Sequence, residues 1–297
     1  MTEPNLRDPR KLFYTEEFKR QDQDKPALQN KMDPQPDCGE HSYVGNRKLE
    51  NRRVLITGGD SGIGRAAAIA FAREGADVAI QYYPGEESDA NEVAKYIEDA
   101  GRKAVLLPYD FRNDDAPKEM VTKAISELGG LDTLVLNAAE QISQNNIEEL
   151  DIQQVKDTFK VNIVAMFAIV KAALPTLPAG SSIIMTTSIQ AFGPSDHLLD
   201  YAASKAAIAN FTVGLAKQLA KRGIRVNGVA PGPIWTALQL DHGQPQESLP
   251  TFGQNMLLER AGQPAELAPV YVFLASNDAS YVTAQIYGVT GGKAINL

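Results

Sequence analysis

From residue 52 onward, short apolar runs alternate with longer segments in which apolar positions recur at helical spacing. The runs are Val54–Thr57, Val78–Ile80, Ala104–Leu107, Leu134–Leu136, Ile183–Thr187, Arg225–Ala230 and Ile286–Val289. They are rich in β-branched residues and largely lack alternation, the pattern of strands covered on both faces. Helical spacing predicts helices near residues 63–74, 86–100, 114–128, 151–173, 202–221 and 264–275. Pro264 followed by Glu266 is a first-turn signal for the last of them. Strand–helix alternation of this kind predicts a parallel sheet covered on both faces, a doubly wound α/β domain. It spans 52–297, with no internal repeat and no composition break to mark a second domain.

Residues 1–51 read differently. The first fifty hold nine Lys/Arg, ten Asp/Glu and five prolines, with sparse, aperiodic apolar positions. Such a segment cannot offset its ordering entropy alone. Two readings stay open: a solvated N-terminal arm, or an arm docked on the body or a neighbouring subunit through Phe13, Tyr14 and Phe18.

Composition narrows the function classes. A 43% hydrophobic content supplies a sizeable core. The formal net charge of −8 argues against an electrostatic grip on nucleic acid. The single cysteine, Cys38, excludes an intramolecular disulfide framework and a Cys-rich zinc site, and His41, His197 and His242 have no metal-ligand spacing. No apolar signal region opens the chain, and the longest apolar stretch, between Lys160 and Lys171, is about half the ~20 residues a membrane span needs. The expectation is a cytoplasmic protein with no metal, no membrane and no nucleic-acid partner.

The first apolar run leads directly into Thr57-Gly58-Gly59-Asp60-Ser61-Gly62-Ile63-Gly64, and a helix follows. Glycines permit a tight turn and let a phosphate reach backbone amides, while the helix N-terminus presents partial positive charge. At the first strand-to-helix crossing this is the context of a turn that holds a dinucleotide diphosphate, with a structural turn without ligand as the alternative. Further on, Tyr201 and Lys205 stand four apart at the head of a long helix, so they share a face. A nearby ammonium favours phenolate, which would bring Tyr201 toward acid–base work on an alcohol or carbonyl. Ser188 closes a strand thirteen residues before Tyr201, at the strand end where such sheets bind ligands. Its hydroxyl can hold a substrate oxygen or cap a turn.

Together these residues resemble the short-chain dehydrogenase/reductase family, over residues 52 to 292. Thr57 through Gly64 matches the family's TGxxxGxG turn, and Ser188, Tyr201 and Lys205 its catalytic set. Asp110, Asn162 and the Pro231-Gly232 loop with Thr236 match in order and spacing. The arm, with its Pro-Asp-Cys-Gly stretch, makes the likeness greatest to bacterial oxidoreductases of the glucose/ribitol dehydrogenase-like and general-stress-protein group. The resemblance implies a Rossmann-type fold and an NAD(P)-dependent hydride transfer between nicotinamide and an aldehyde, ketone, sugar or alcohol, with reduction of small or reactive carbonyls preferred. It implies Tyr201 as proton donor and acceptor, Lys205 as its modulator and ribose ligand, Ser188 as the carbonyl's partner, and Asn162 as holder of a relay water. Cofactor contacts are implied for Gly58, Asp60, Ser61, Gly62, Ile63, Gly64, Tyr82, Asp110, Phe111, Asn137, Ala138, Ala139, Tyr201, Lys205, Pro231, Gly232, Ile234 and Thr236. It also implies a homotetramer built on the long helices.

Two positions depart from the family. Ala139 replaces a glycine in Asn137-Ala138-Ala139, adding a methyl near the cofactor. The end of the second strand, Ile80-Gln81-Tyr82-Tyr83, lacks the acid that binds a ribose 2′-hydroxyl, which leans the choice toward NADP. The usual basic partner in the glycine turn is replaced by Ser61, and Arg65 lies past the last glycine. His197 and Trp235 are candidates to line the substrate pocket, and 237–260 reads as a substrate lid. Two rivals remain: a sugar epimerase using the same Tyr–Lys pair, and an idle dinucleotide-binding sensor or scaffold. The epimerases carry a larger C-terminal domain where five residues follow Gly292 here, and an idle site need not keep Ser188, Tyr201 and Lys205 together.

Overall fold

A computed structural model describes residues 6–295; residues 1–5 of the arm and 296–297 lie outside the described residues. The apolar runs form seven strands: β1 (Arg53–Thr57), β2 (Asp77–Tyr82), β3 (Ala104–Pro108), β4 (Thr133–Leu136), β5 (Ser182–Thr186), β6 (Arg225–Pro231) and β7 (Ile286–Val289). All pair in parallel in the order β3-β2-β1-β4-β5-β6-β7. Every residue of β4 and β5 is buried, which explains why these runs show no polar alternation. The chain winds outward from β1 in one direction and from β4 in the other. The crevice therefore opens at the carboxyl ends of β1 and β4, where the order reverses.

Helices α1 (Gly62–Arg73), α2 (Glu87–Asp99), α3 (Ala116–Leu128), α4 (Ile152–Phe159), α5 (Ala165–Ala173), α6 (Leu199–Leu219) and α7 (Ala268–Ala275) complete the body. One core lies between the sheet and α1, α2 and α7, built on Ile56, Phe71, Ile80 and Tyr271. The other lies under α3, α5 and α6, built on Leu55, Met120, Leu134 and Ile208. Among the described residues no helix is long and apolar enough to cross a membrane.

Three boundaries differ from the sequence expectations. The helix expected over 151–173 is broken by a π turn, Lys160–Val164, between α4 and α5. Its extra residue accompanies an inward Asn162 whose side chain bonds to neighbouring segments, the usual setting of such bulges. Helix α6 begins at Leu199 rather than 202, so both Tyr201 and Lys205 are helical. Pro264–Glu266 is a separate 3₁₀ turn closed by a reciprocal Gln263–Glu266 cap, and α7 starts only at Ala268.

The arm is docked, so the solvated reading does not hold for residues 6–51. Phe18 stacks on Trp235 at 3.9 Å between ring centroids, and Tyr14 stacks on Phe18 at 5.0 Å. The Trp235 indole donates to the carbonyl of Pro34 at 2.8 Å. Phe13 lies under the guanidinium of Arg260, which also donates to the Pro9 carbonyl. Trp235 is thus fully buried by the arm instead of lining a substrate pocket. Because Trp235 is the single tryptophan, its emission reports docking directly. Phe18→Ala removes the stacked ring, a loss of about 3 kcal/mol for a buried aromatic. The expected outcome is a red-shifted emission with new trypsin cleavage within the arm; unchanged emission would place the anchor elsewhere.

Candidate active site

The carboxyl ends of β1, β4, β5 and β6 open into one cavity of about 700 Å³. Its floor at one end is the glycine turn. Gly58 has a φ of +60° and Gly62 of +51°, a left-handed backbone that glycine adopts without strain. A Cβ on Gly62 would meet the Thr236 methyl at 2.8 Å. The N-cap of α1, Ser61, makes no side-chain cap, and the Gly62 amide of the first turn is taken by Gln29 Oε1 of the arm at 2.7 Å. This cradle fits a dinucleotide diphosphate: amides aimed at an anion, and no room for a side chain.

Most of the residues expected at a cofactor converge on this cavity. Gly58, Asp60, Ser61, Gly62 and Ile63 line it from the turn, and Asp110 and Phe111 from the loop after β3. Asn137, Ala138 and Ala139 line it from the end of β4, and Pro231, Gly232, Ile234 and Thr236 from the end of β6. Two do not. Tyr82 is buried inside the sheet beside Pro108, and its neighbour Tyr83 lines the cavity instead. Gly64 lies beneath the turn, where a Cβ would come within 1.8 Å of the Gly58 carbonyl oxygen. Arg65 is turned away as well, paired at 2.9 Å with both Glu40 and Glu92, so no cation reaches the strand-two end from it.

At the other end stand Ser188, Tyr201 and Lys205, all buried and all lining the same cavity. Ser188 does both things expected of it: it caps the 3₁₀ turn Ile189–Ala191 by accepting from the Gln190 amide at 3.1 Å, and it faces the cavity. Thr187 Oγ1 donates to the Lys205 carbonyl at 2.7 Å and ties α6 to the end of β5. Asn162 does not line the cavity. Its side chain accepts from the Glu140 amide at 2.7 Å and donates to the Glu140 carbonyl and to Ser204 Oγ at 3.0 and 2.9 Å. Ser204 in turn donates to the Tyr201 carbonyl at 2.7 Å. This side chain braces the turn that carries Tyr201.

Desolvation dominates the electrostatics of this end of the cavity. Burial pushes the Tyr201 phenol up to about 12, and a hydrogen bond with Ser188 only partly opposes it. Lys205 Nζ donates to the Thr186 carbonyl at 3.0 Å and sits 5.3 Å from the centre of the Tyr201 ring. Burial also pushes Lys205 itself down to about 7. Desolvation outweighs the pair interaction, and the neutral forms are favoured. Elsewhere in the cavity, burial pushes the carboxyls of Asp60 and Glu86 up from their usual range. His197 lines the cavity, with Nδ1 on Asp196 at 3.2 Å and Nε2 buried without a partner among the described residues. Segment 237–260 forms the outer wall through Gln239, Asp241, Thr251 and Asn255.

Sequence reasoning missed Gln81, Arg112 and Lys25. Gln81 Oε1 accepts from the Gly58 amide at 3.0 Å. Lys25, from the arm, reaches Glu140 at 2.6 Å, and Arg112 holds both oxygens of the same carboxylate. No local spacing signals contacts across 28 and 115 positions.

Residues 58–294 match the family model described as enoyl-(acyl carrier protein) reductase. The chain is 57% identical over 289 residues to the uncharacterized oxidoreductase YghA of Escherichia coli (strain K12), covering 97% of this chain and 98% of that protein. It is 42% identical over 276 residues to the glucose and ribitol dehydrogenase of Daucus carota, covering 91% of this chain and 94% of that protein. Among solved structures, a short chain dehydrogenase from Burkholderia cenocepacia J2315 in complex with NADP superposes with a TM-score of 0.77 at 33% identity, covering 83% of this chain and 99% of that one.

The buried amine carries a stability signature. A lysine with a depressed folded value binds fewer protons folded than unfolded between about 7 and its usual range near 10.5. Its penalty is therefore full below about 7, and stability rises with pH across that interval, by at most about 1.4 kcal/mol per pH step. Lys205→Met removes this slope. The variant is expected to gain most in Tm over the natural chain near about pH 6, with the gain shrinking toward about pH 10. A gain that does not change with pH would mean that Lys205 keeps its ordinary affinity for protons.

Proposed function

Because the chain belongs to the short-chain dehydrogenase/reductase family of oxidoreductases, we propose that it interconverts a carbonyl and an alcohol on a small hydroxylated substrate at the expense of NAD(P), preferring reduction. The observation that carries this reading is the convergence of Ser188, Tyr201 and Lys205 on the cavity that the glycine turn enters. When bound, the nicotinamide supplies or accepts the hydride. The residues of the turn and its N-terminal helix hold the diphosphate, Asp110 and Phe111 the adenine, and Asn137 to Ala139 with Thr236 the nicotinamide half.

The chain's own groups handle the proton. A phenol keeps its proton at neutral pH and burial reinforces that form in Tyr201, so it is the acid form that would meet a carbonyl oxygen. Ser188 orients that oxygen with its hydroxyl. Lys205 lies close enough to the ring to stabilise the phenolate once the proton has left. Thr187 and Asn162, through Ser204, keep the turn of α6 in place. Beyond the reacting atoms, the wall is rich in amides and hydroxyls, with Gln141, Gln190, Gln239, Thr251, Asn255 and the unpaired Nε2 of His197. Such a wall suits a sugar or polyol more than an apolar aldehyde, in keeping with the name of the carrot relative. The lean to NADP rests on the missing strand-end acid and on the NADP held by the Burkholderia relative.

We also propose a homotetramer in the cytoplasm. Helices α5 and α6 expose an apolar groove in which Phe167, 52% exposed, stacks on Phe211 at 3.8 Å. A second copy presenting the same face would cover it. The single, buried thiol suits a reducing compartment.

Mixing the protein with NADPH or NADH and a panel of sugars, aldehydes and ketones, and following the reduced-nicotinamide absorbance, tests the activity. Tyr201→Phe is expected to leave dinucleotide binding nearly intact and to cut turnover by about a hundredfold or more. Full turnover in that variant would remove Tyr201 from the mechanism, and binding without turnover on any substrate would favour an idle binder. Phe167→Lys is expected to lower the mass measured by light scattering; an unchanged mass would place the subunit contact elsewhere.

A further inference from the structure

We propose that residues Lys25 to Gln29 of the arm form the outer wall of the dinucleotide cleft, and that the Lys25–Glu140 ion pair is a latch that governs cofactor exchange. The proposal rests on the dinucleotide reading above. Lys25, Pro26 and Ala27 line the same cavity as Gly58, Asp60 and Ser61. This stretch is fixed firmly on the shore formed by β1 and β2. Gln29 Oε1 accepts from the Gly62 amide at 2.7 Å, within the phosphate cradle itself. The Asp89 carboxylate on α2 accepts from the amides of Gln29 and Asn30 at 2.6 and 3.2 Å. The Pro26 ring abuts Gly85 so closely that a Cβ there would meet it at 3.1 Å.

Across the cleft the attachment is of another kind. Lys25 Nζ reaches Glu140 Oε1 at 2.6 Å, on the loop that follows β4. Glu140 is 8% exposed and is held from its other side by Arg112, so it is a fixed post. Lys25 is one-third exposed. An ion pair with one solvated partner is weak and is screened by salt, whereas the apolar and backbone anchors of the arm are not. The arm also shares a hydrophobic cluster with Trp235 and with segment 237–260, through Phe18, Met32, Leu240 and Leu249. A bound dinucleotide is then enclosed by a strap anchored at both ends, and the Lys25–Glu140 contact is the part of it that opens at least cost. Lys25 acts as a positioning residue through Glu140.

The test is stopped-flow release of NADPH and NADH from the full-length chain, followed by nicotinamide fluorescence, for Lys25→Met, Glu140→Gln and the double variant. Each single variant is expected to release the cofactor about fivefold faster at low salt, with the double variant no faster. Added salt should speed release from the natural chain more steeply than from the variants. Trp235 emission should stay unshifted throughout. Single-variant rates within about twofold of the natural chain, with the same salt response, overturn the latch. Slower release from Glu140→Gln overturns it in favour of Lys25 acting directly on the cofactor phosphates. Faster release accompanied by a red shift of Trp235 overturns it in favour of general undocking of the arm. No nicotinamide signal from the natural chain overturns the dinucleotide reading itself.

Discussion

A Cβ on Gly64 would lie 1.8 Å from the carbonyl oxygen of Gly58, and one on Gly59 would lie 2.6 Å from the side chain of Ile80. Helix α1 therefore leaves β1 at a distance that no other residue permits. That close approach aims the first turn of α1 into the crevice. It also leaves the Gly58 carbonyl where Asn137 Nδ2 can donate to it at 3.1 Å. Thr57 Oγ1 accepts from the amides of Asn137 and Ala138 at 2.9 and 3.0 Å. The ends of β1 and β4 are thereby knitted together at the point where the sheet order reverses, and everything that lines the cavity is measured from that knot.

The strands and the motifs were legible for one shared reason: each is local. A run buried on both faces looks the same wherever it is read, and a turn, or a pair four apart on a helix, needs only a few residues of context. What failed was parity. Tyr82 and Tyr83 are adjacent in extended chain, so one faces the core and the other the cavity. A strand without polar alternation gives no hint of which. Trp235 fails in the same way, set between Ile234 and Thr236, which both line the cavity while Trp235 is turned under the arm. Asn162 was legible as a site residue but not as a brace, since its partners Glu140 and Ser204 lie on other segments.

The arm was the least legible part. Its composition is that of a chain that cannot fold alone, and it does not: each of its anchors belongs to the body. Phe18 finds Trp235, Gln29 finds Gly62, and Lys25 finds Glu140, at separations that leave no periodic trace. The entropy of ordering such a segment is met by surfaces that the body would otherwise expose, among them Trp235 and Leu249.

The same burial that stabilises the body acts on the two titratable groups of the proposed chemistry. A phenol and an amine taken out of water together favour their neutral forms, which holds the proton on Tyr201 and draws it from Lys205. With Tyr201 protonated, the group facing the cavity is a donor, and Ser188 beside it directs an incoming oxygen toward that donor. The charged pair, phenolate with ammonium, becomes favourable only after the proton has passed to the substrate oxygen and a proton has returned to Lys205 from solvent. In the proposed reaction, reduction of a carbonyl would draw the proton from Tyr201, and oxidation of an alcohol would return a proton to the same phenol, with Ser188 holding the oxygen in both directions.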